Sequence, residues 1–239
     1  MKVHLFVPCF IDQLYPTVAF NMVKVLEKAG CEVHYNSKQT CCGQPAFNAG
    51  FWGESKEVCN KFLQDFEGAE YIVAPSASCV GFVRNMYGKL FDNSANLQQA
   101  KKTAERIFEL SEFLVNILQV TDLGASFEGK ATYHDSCAGL RECHIKSEPR
   151  ALLSKVAGLE LIEMNESETC CGFGGTFAVK FEPISIAMGE QKITNAIATE
   201  ANYIISTDMS CLMHIDGCLK NHGSNIQVLH LADVLASGY

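Results

Sequence analysis

The chain has 239 residues, of which 48% are hydrophobic and 19% charged, a formal net charge of −8 and twelve cysteines. That length admits one large or two small domains with proper cores, and the composition is that of a soluble globular protein rather than a disordered one. A pI near 5.4 with scattered Lys and Arg excludes nucleic acid and anionic membranes as natural partners, because either would need a basic face. No stretch reaches the roughly 18 apolar residues of a membrane span. The run from Val3 to Ile11 is broken by Pro8 and Cys9 and ends on Asp12, so it reads as a buried strand and not as a signal peptide. A cytoplasmic location is expected, and in a reducing compartment twelve cysteines point to metal binding or redox work rather than to disulfides.

In chain order, a strand from Lys2 ends on Cys9, a helix from Tyr15 to Ala29 stops at Gly30, and the doublet Cys41-Cys42-Gly43 follows. A helix from Gly53 to Glu67 stops at Gly68, a strand from Tyr71 ends on Cys79, residues 98–118 read as one or two helices, and Thr121 to Gly129 reads as a polar connector. The plan then repeats. A strand from Lys130 ends on Cys137, the stretch Cys170-Cys171-Gly172-Phe173-Gly174-Gly175 matches the first doublet, a helix covers Pro183 to Ala201, and a strand from Tyr203 ends on Cys211. The offsets between matching cysteines are 128, 129, 129 and 132 residues, and both copies close on similar helical signatures, Ile107 to Leu114 and Val228 to Leu235. Strands alternating with helices imply an α/β fold: two pseudo-repeated, Rossmann-like βαβ halves, 1–122 and 123–239, with mostly parallel sheets. Ligands of such sheets lie beyond the carboxyl ends of the strands, where eight of the cysteines gather.

Successive side chains of a strand point to opposite faces, so both thiols of a doublet serve one ligand only if the backbone turns there. The glycines that follow permit the turn. Four thiolates converging on one point repel one another and need a metal or cluster to neutralise them. Zinc and iron–sulfur centres both suit such a donor set, and spacing does not choose between them. The candidate ligands are Cys9, Cys41, Cys42 and Cys79 in the first half and Cys137, Cys170, Cys171 and Cys211 in the second. Cys31, Cys59, Cys143 and Cys218 have no counterparts and read as buried thiols, with Cys143 kept in view for its closeness to Cys137; Trp52 reads as core. The Gly172 to Gly175 run offers backbone N–H groups to a cluster or anion if it opens a helix, and a ligand-free turn otherwise.

A cysteine, 31 residues, Cys-Cys-Gly, 35 residues and a further cysteine, repeated with 32 and 38, resembles the cysteine-rich CCG domain. That domain occurs twice in the catalytic subunit of heterodisulfide reductases and in glycolate-oxidase and lactate-oxidation iron–sulfur subunits. With two such motifs in about 240 residues, the chain most resembles the small A-type subunits of bacterial L-lactate-utilisation complexes. The resemblance implies one or two iron–sulfur clusters per chain, of the [4Fe-4S] type, held by the eight cysteines. It also implies a place in a multi-subunit oxidoreductase that converts L-lactate to pyruvate, with partner iron–sulfur proteins carrying electrons toward a quinone or cytochrome. Such a subunit would be cytoplasmic, or peripheral at the inner membrane through its partners.

Both halves depart from the family's closing Cys-x-x-Cys: Phe82 stands three residues after Cys79, and His214 three after Cys211. A five-cysteine cluster is therefore not expected, while a four-cysteine cubane, zinc in one half and an unmetallated half stay open. His214 is either a further ligand or a hydrogen-bond donor to a sulfur. For a small 2-hydroxy acid substrate, His134 is a candidate base on the α-hydroxyl with Asp135 beside it, and Arg141 and Arg150 are candidate carboxylate clamps. The plainer alternatives are a strand-end pair bonded to backbone and solvated or ion-paired arginines; Asp208 is placed like Asp135. No GxGxxG follows a strand, so a dinucleotide held in the usual way is not indicated. The competing functions are a zinc-binding, non-redox assembly module, a CCG subunit of a glycolate-oxidase or heterodisulfide-reductase type of enzyme, and thiol–disulfide chemistry at a doublet.

Overall fold

Strands alternate with helices along the whole chain, and the computed structural model, which describes residues 1–91 and 94–239, sorts them into two four-stranded sheets. The first contains β1 (Lys2–Leu5), β2 (Glu32–Tyr35), β3 (Ile72–Ala74) and β4 (Ile107–Glu109), in the spatial order β2-β1-β3-β4. The second repeats it with β5 (Ser126–Tyr133), β6 (Ala157–Leu161), β7 (Tyr203–Ser206) and β8 (Gln227–His230), ordered β6-β5-β7-β8. Every pairing is parallel. Parallel strands are joined by crossovers that cover the sheet faces, so central strands are buried on both sides and read as continuous apolar runs. Ile72, Val73 and Ala74 of β3 are fully buried, and so are Ile204 and Ile205 of β7.

The helices follow the same logic. Pro16–Lys28 buries Val18, Met22, Val25 and Leu26, the spacing of one face of a 3.6-residue period, and opens on a proline whose missing N–H costs nothing there. Four sequence expectations are corrected. Residues 98–118 are not simply helical: helix Ser94–Ala104 is followed by β4, a single turn Leu110–Glu112 and a π-helical turn Phe113–Ile117. Val228 to Leu235 likewise splits into the end of β8 and helix Leu231–Leu235. A short apolar run suits strand or helix alike, and the buried strand beside it decides. The connector gives its last residues, from Ser126, to β5. Trp52, expected in the core, is 64% exposed and stacks on Phe47.

The halves are not separate beads. Val3 and Leu5 of the first share one apolar cluster with Ile204 and Leu212 of the second. Asn21 donates to Asp233 at 2.8 Å. Helix Cys137–Glu142 lies against helix Ala77–Leu90, with Glu142 over Gly81, where a methyl group would sit 2.7 Å from the Glu142 Cβ. Among the described residues no helix is long and apolar enough to cross a membrane.

Candidate metal centres in the interdomain cleft

Each half places its four cysteines by the same steps. Cys9 and Cys137 open the helices Cys9–Leu14 and Cys137–Glu142 just after β1 and β5, while Cys79 and Cys211 lie in the first turns of Ala77–Leu90 and Met209–His222 just after β3 and β7. The doublets supply the rest. Gly43 and Gly172 hold φ of 93° and 96°, a conformation costly for any residue with a Cβ. That turn sends each glycine N–H back to the first thiol of its doublet, Gly43 to Cys41 Sγ at 3.3 Å and Gly172 to Cys170 Sγ at 3.4 Å. Each glycine carbonyl is then fastened by a buried serine, Ser55 Oγ donating to Gly43 at 3.0 Å and Ser185 Oγ to Gly172 at 2.8 Å. Sequence reading missed both serines, although they stand 130 residues apart and so obey the repeat.

All eight thiols line one cleft of about 580 Å³ between the halves. In the first quartet Cys9 Sγ lies 3.4 Å from Cys41 Sγ and Cys42 Sγ 3.4 Å from Cys79 Sγ, and all eight are free thiols. Hydrogen bonds from Cys42 and Cys9 pull Cys41 down to about 3, and those from Cys137 and Cys171 pull Cys170 down to about 2. Their donors move the other way: Cys9, Cys42, Cys137 and Cys171 are pushed up because each gives its proton to a neighbouring sulfur and is desolvated besides. Cys41 and Cys170 are thus the sulfurs whose thiolate form their neighbours favour, and binding a thiophilic metal would release protons from the donor thiols. Free, close-set thiols with backbone N–H donors aimed at them suit a metal or iron–sulfur centre.

The walls behind the sulfurs differ. Behind the first quartet Phe6 packs edge-on against Phe62 at 4.8 Å, and Tyr87 donates to the Cys42 carbonyl at 2.7 Å. At the matching places the second half has His134 and Lys192, both buried. Burial, then the Lys192 charge, holds His134 down to about 3, so its ring is neutral. Lys192 is pushed down by burial, and its ammonium donates to the carbonyls of Glu166 and Ser167. Among the described residues, one group of three metal-donor side chains has all its donor atoms within 4.8 Å of one another: His134, Cys171 and Cys211.

The other residues singled out in the sequence are placed as follows. Asp135 is buried and held by Arg150 through two 2.8 Å bonds, and Arg150 also grips Glu163 at 2.6 and 2.9 Å. Arg141 is exposed, and none of His134, Asp135 and Arg141 lines the cleft. His214 Nε2 lies 3.4 Å from Ser185 Oγ and 3.3 Å from the Ser185 carbonyl, beside a separate cavity of about 340 Å³. It braces the serine that fastens the second doublet. Asp208 clasps the first half, accepting from Ser78 N at 2.9 Å and Ser78 Oγ at 3.1 Å. Cys143 Sγ is buried and donates to the Ala77 carbonyl at 3.4 Å.

The cysteine-rich domain family (CCG) matches residues 3–84 and 131–216, one copy in each half. The chain belongs to that family. Its matched segments run from β1 through Cys79 and from β5 through Cys211, so they contain both quartets. Among proteins similar over the full length are "Lactate utilization protein A" of Bacillus pumilus, 46% identical over 237 residues with 99% of this chain and 100% of that protein covered, and "Lactate utilization protein A" of Anoxybacillus flavithermus, 44% identical over 236 residues with 98% and 99% covered. Among solved structures, a hypothetical protein from Helicobacter pylori has the same fold, with a TM-score of 0.67 at 14% identity; the match covers 100% of this chain and 49% of that one.

Proposed function

We propose that the chain is an iron–sulfur electron-carrying subunit that serves lactate utilisation, with its quartets as the cluster sites and the cleft between them as the passage for electrons. The observation that carries this reading is the convergence of two sulfur quartets on one cleft, in a chain whose full-length relatives bear the name lactate utilization protein A. Cys9, Cys41, Cys42 and Cys79 would hold one centre, and Cys137, Cys170, Cys171 and Cys211 the other. Bound there, a [4Fe-4S] cluster supplies reversible one-electron storage. The chain's own part is to fix the sulfurs through Gly43 and Gly172, to direct their N–H groups at Cys41 and Cys170, and to keep the inner sulfurs dry: Cys42 and Cys171 are 2% and 1% exposed.

The cleft wall favours carrying electrons over binding the hydroxy acid. Asp208 and Glu142 lie in it, and among its described lining residues there is no Lys, Arg or His to meet a carboxylate. Lactate oxidation then belongs to a partner protein, and this subunit relays the electrons onward. The test is chemical analysis of protein purified without oxygen. Bound iron and acid-labile sulfide, with broad visible absorption that bleaches on adding dithionite, is the expected result. Colourless protein that takes up neither after reconstitution overturns the reading, and one or two zinc ions with no response to dithionite would make it a zinc-held assembly module instead.

A further inference from the structure

The second quartet carries a donor that the first lacks. His134 is 0% exposed; its ring lies beside the Ser167 carbonyl, and neither ring nitrogen makes a hydrogen bond of ordinary geometry. The Ser167 carbonyl can serve only one nitrogen, and a buried imidazole nitrogen left without a partner is costly, so such a group in a native fold calls for a bound partner. Its position in the repeat belongs to Phe6 in the first half, where an apolar ring fills the space at no such cost. A nitrogen of His134 and the sulfurs of Cys171 and Cys211 lie within 4.8 Å of one another. One ion, or one iron of a cluster, can reach three atoms so placed with modest side-chain adjustment, and borderline metals accept imidazole beside thiolate.

We propose that the second quartet is a mixed sulfur–nitrogen metal centre in which His134 is a direct donor beside Cys171 and Cys211, while the first quartet is an all-sulfur centre. The inference rests on the reading of the quartets as metal sites. The neutral form of the ring is the one that binds metal. His214 does not compete for this role, because its Nε2 faces Ser185.

The test uses the full-length, metal-free protein titrated with Co(II) alone in the absence of oxygen, with 15N-labelled histidine. Sulfur-to-cobalt charge-transfer bands and one strongly paramagnetically shifted imidazole resonance are expected in the natural protein. In His134→Phe, which installs the first half's residue, that resonance disappears and the affinity of the second site falls at least about tenfold, while the first site is unchanged. Should His134→Phe fail to fold, the labelled natural protein still answers, since a shifted resonance that Cys171→Ser removes and Cys42→Ser leaves in place assigns the nitrogen to the second quartet. The proposal is overturned if cobalt binds with no shifted imidazole, if the shifted resonance survives in His134→Phe, or if no cobalt binds. Iron and sulfide uptake is measured separately: its failure alongside a cobalt-bound imidazole overturns the electron-carrying function alone, and its success without one overturns this inference alone.

Discussion

The two halves share sheet order, the placement of four cysteines and a left-handed glycine after each doublet, and they part at the wall behind the sulfurs. Phe6 and Phe62 make the first wall aromatic and uncharged, whereas His134 and Lys192 give the second a donor and a positive charge. The lesson is a division of labour. The repeated backbone decides where sulfurs stand, and two side chains per half decide the polarity of the wall behind them. A cation near a cluster favours its reduced, more negative state, so the second centre should have the higher reduction potential.

The harshest way to break the comparison is to remove one inner ligand at a time. Cys42→Ser should cost the first centre and Cys171→Ser the second, each leaving about half the bound metal in metal and sulfide analysis. A chain that loses everything from one substitution would show the halves to be a single site.

The next largest effect concerns the caps at the ends of the two sheets. Glu109 accepts from Ser111 N at 2.8 Å and caps the turn after β4; His230, its counterpart after β8, accepts from Ala232 N at 3.0 Å. Burial pushes Glu109 up to about 8, so the fold favours its protonated form. Its stabilising contribution is complete below the ordinary carboxylate range and declines as pH rises through about 8. Glu109→Gln keeps an acceptor and removes the charge. Urea denaturation should find it near the natural protein at pH 5 and more stable, on the order of 4 kcal/mol, at pH 9. Equal stabilities at pH 9 would contradict the buried charge.

Glycine replacement sharpens the comparison further. A Cβ on Gly172 would lie 2.5 Å from the Ser185 carbonyl oxygen, while one on Gly43 would lie 3.1 Å from Cys59 Sγ and 3.2 Å from the Ser55 carbonyl oxygen. Gly172→Ala should cost roughly 3 kcal/mol and Gly43→Ala roughly 1–2, read from denaturation midpoints. The smallest effect is electrostatic. Lys192→Met should lower the potential of the second centre by tens of millivolts, about 1 kcal/mol, and leave the first where it is, as followed by redox titration.

Much of this was legible beforehand because cysteine doublets and their spacing survive as one-dimensional pattern. The eight ligand candidates and the parallel halves needed only the repeat. β4 and β8 were hidden in Ile107 to Leu114 and Val228 to Leu235, since three or four strand residues run directly into a helix and no period has room to declare itself. β2 and β6 pair with β1 and β5 at the sheet margins and are only partly buried, so their sequences lack the apolar run of a central strand. Lys192 was invisible for another reason: a lysine on a helix reads as solvated, and only the packing of Glu182–Ile197 turns it inward. The repeat offset that links Ser55 to Ser185 also links Phe62 to Lys192, and it was the one available signal.

Covalent continuity between the halves has a consequence for what the molecule could become. A dimer of identical chains, related by a twofold axis, must put the same residue at both equivalent places; whatever improves one site is imposed on the other. Joined in a single polypeptide and locked by the Asp208 grip on Ser78, the copies are free of that symmetry while keeping a fixed mutual position. Positions 6 and 134 could then drift apart, one to hydrocarbon and one to imidazole, and a duplicated scaffold could acquire two different terminals for charge.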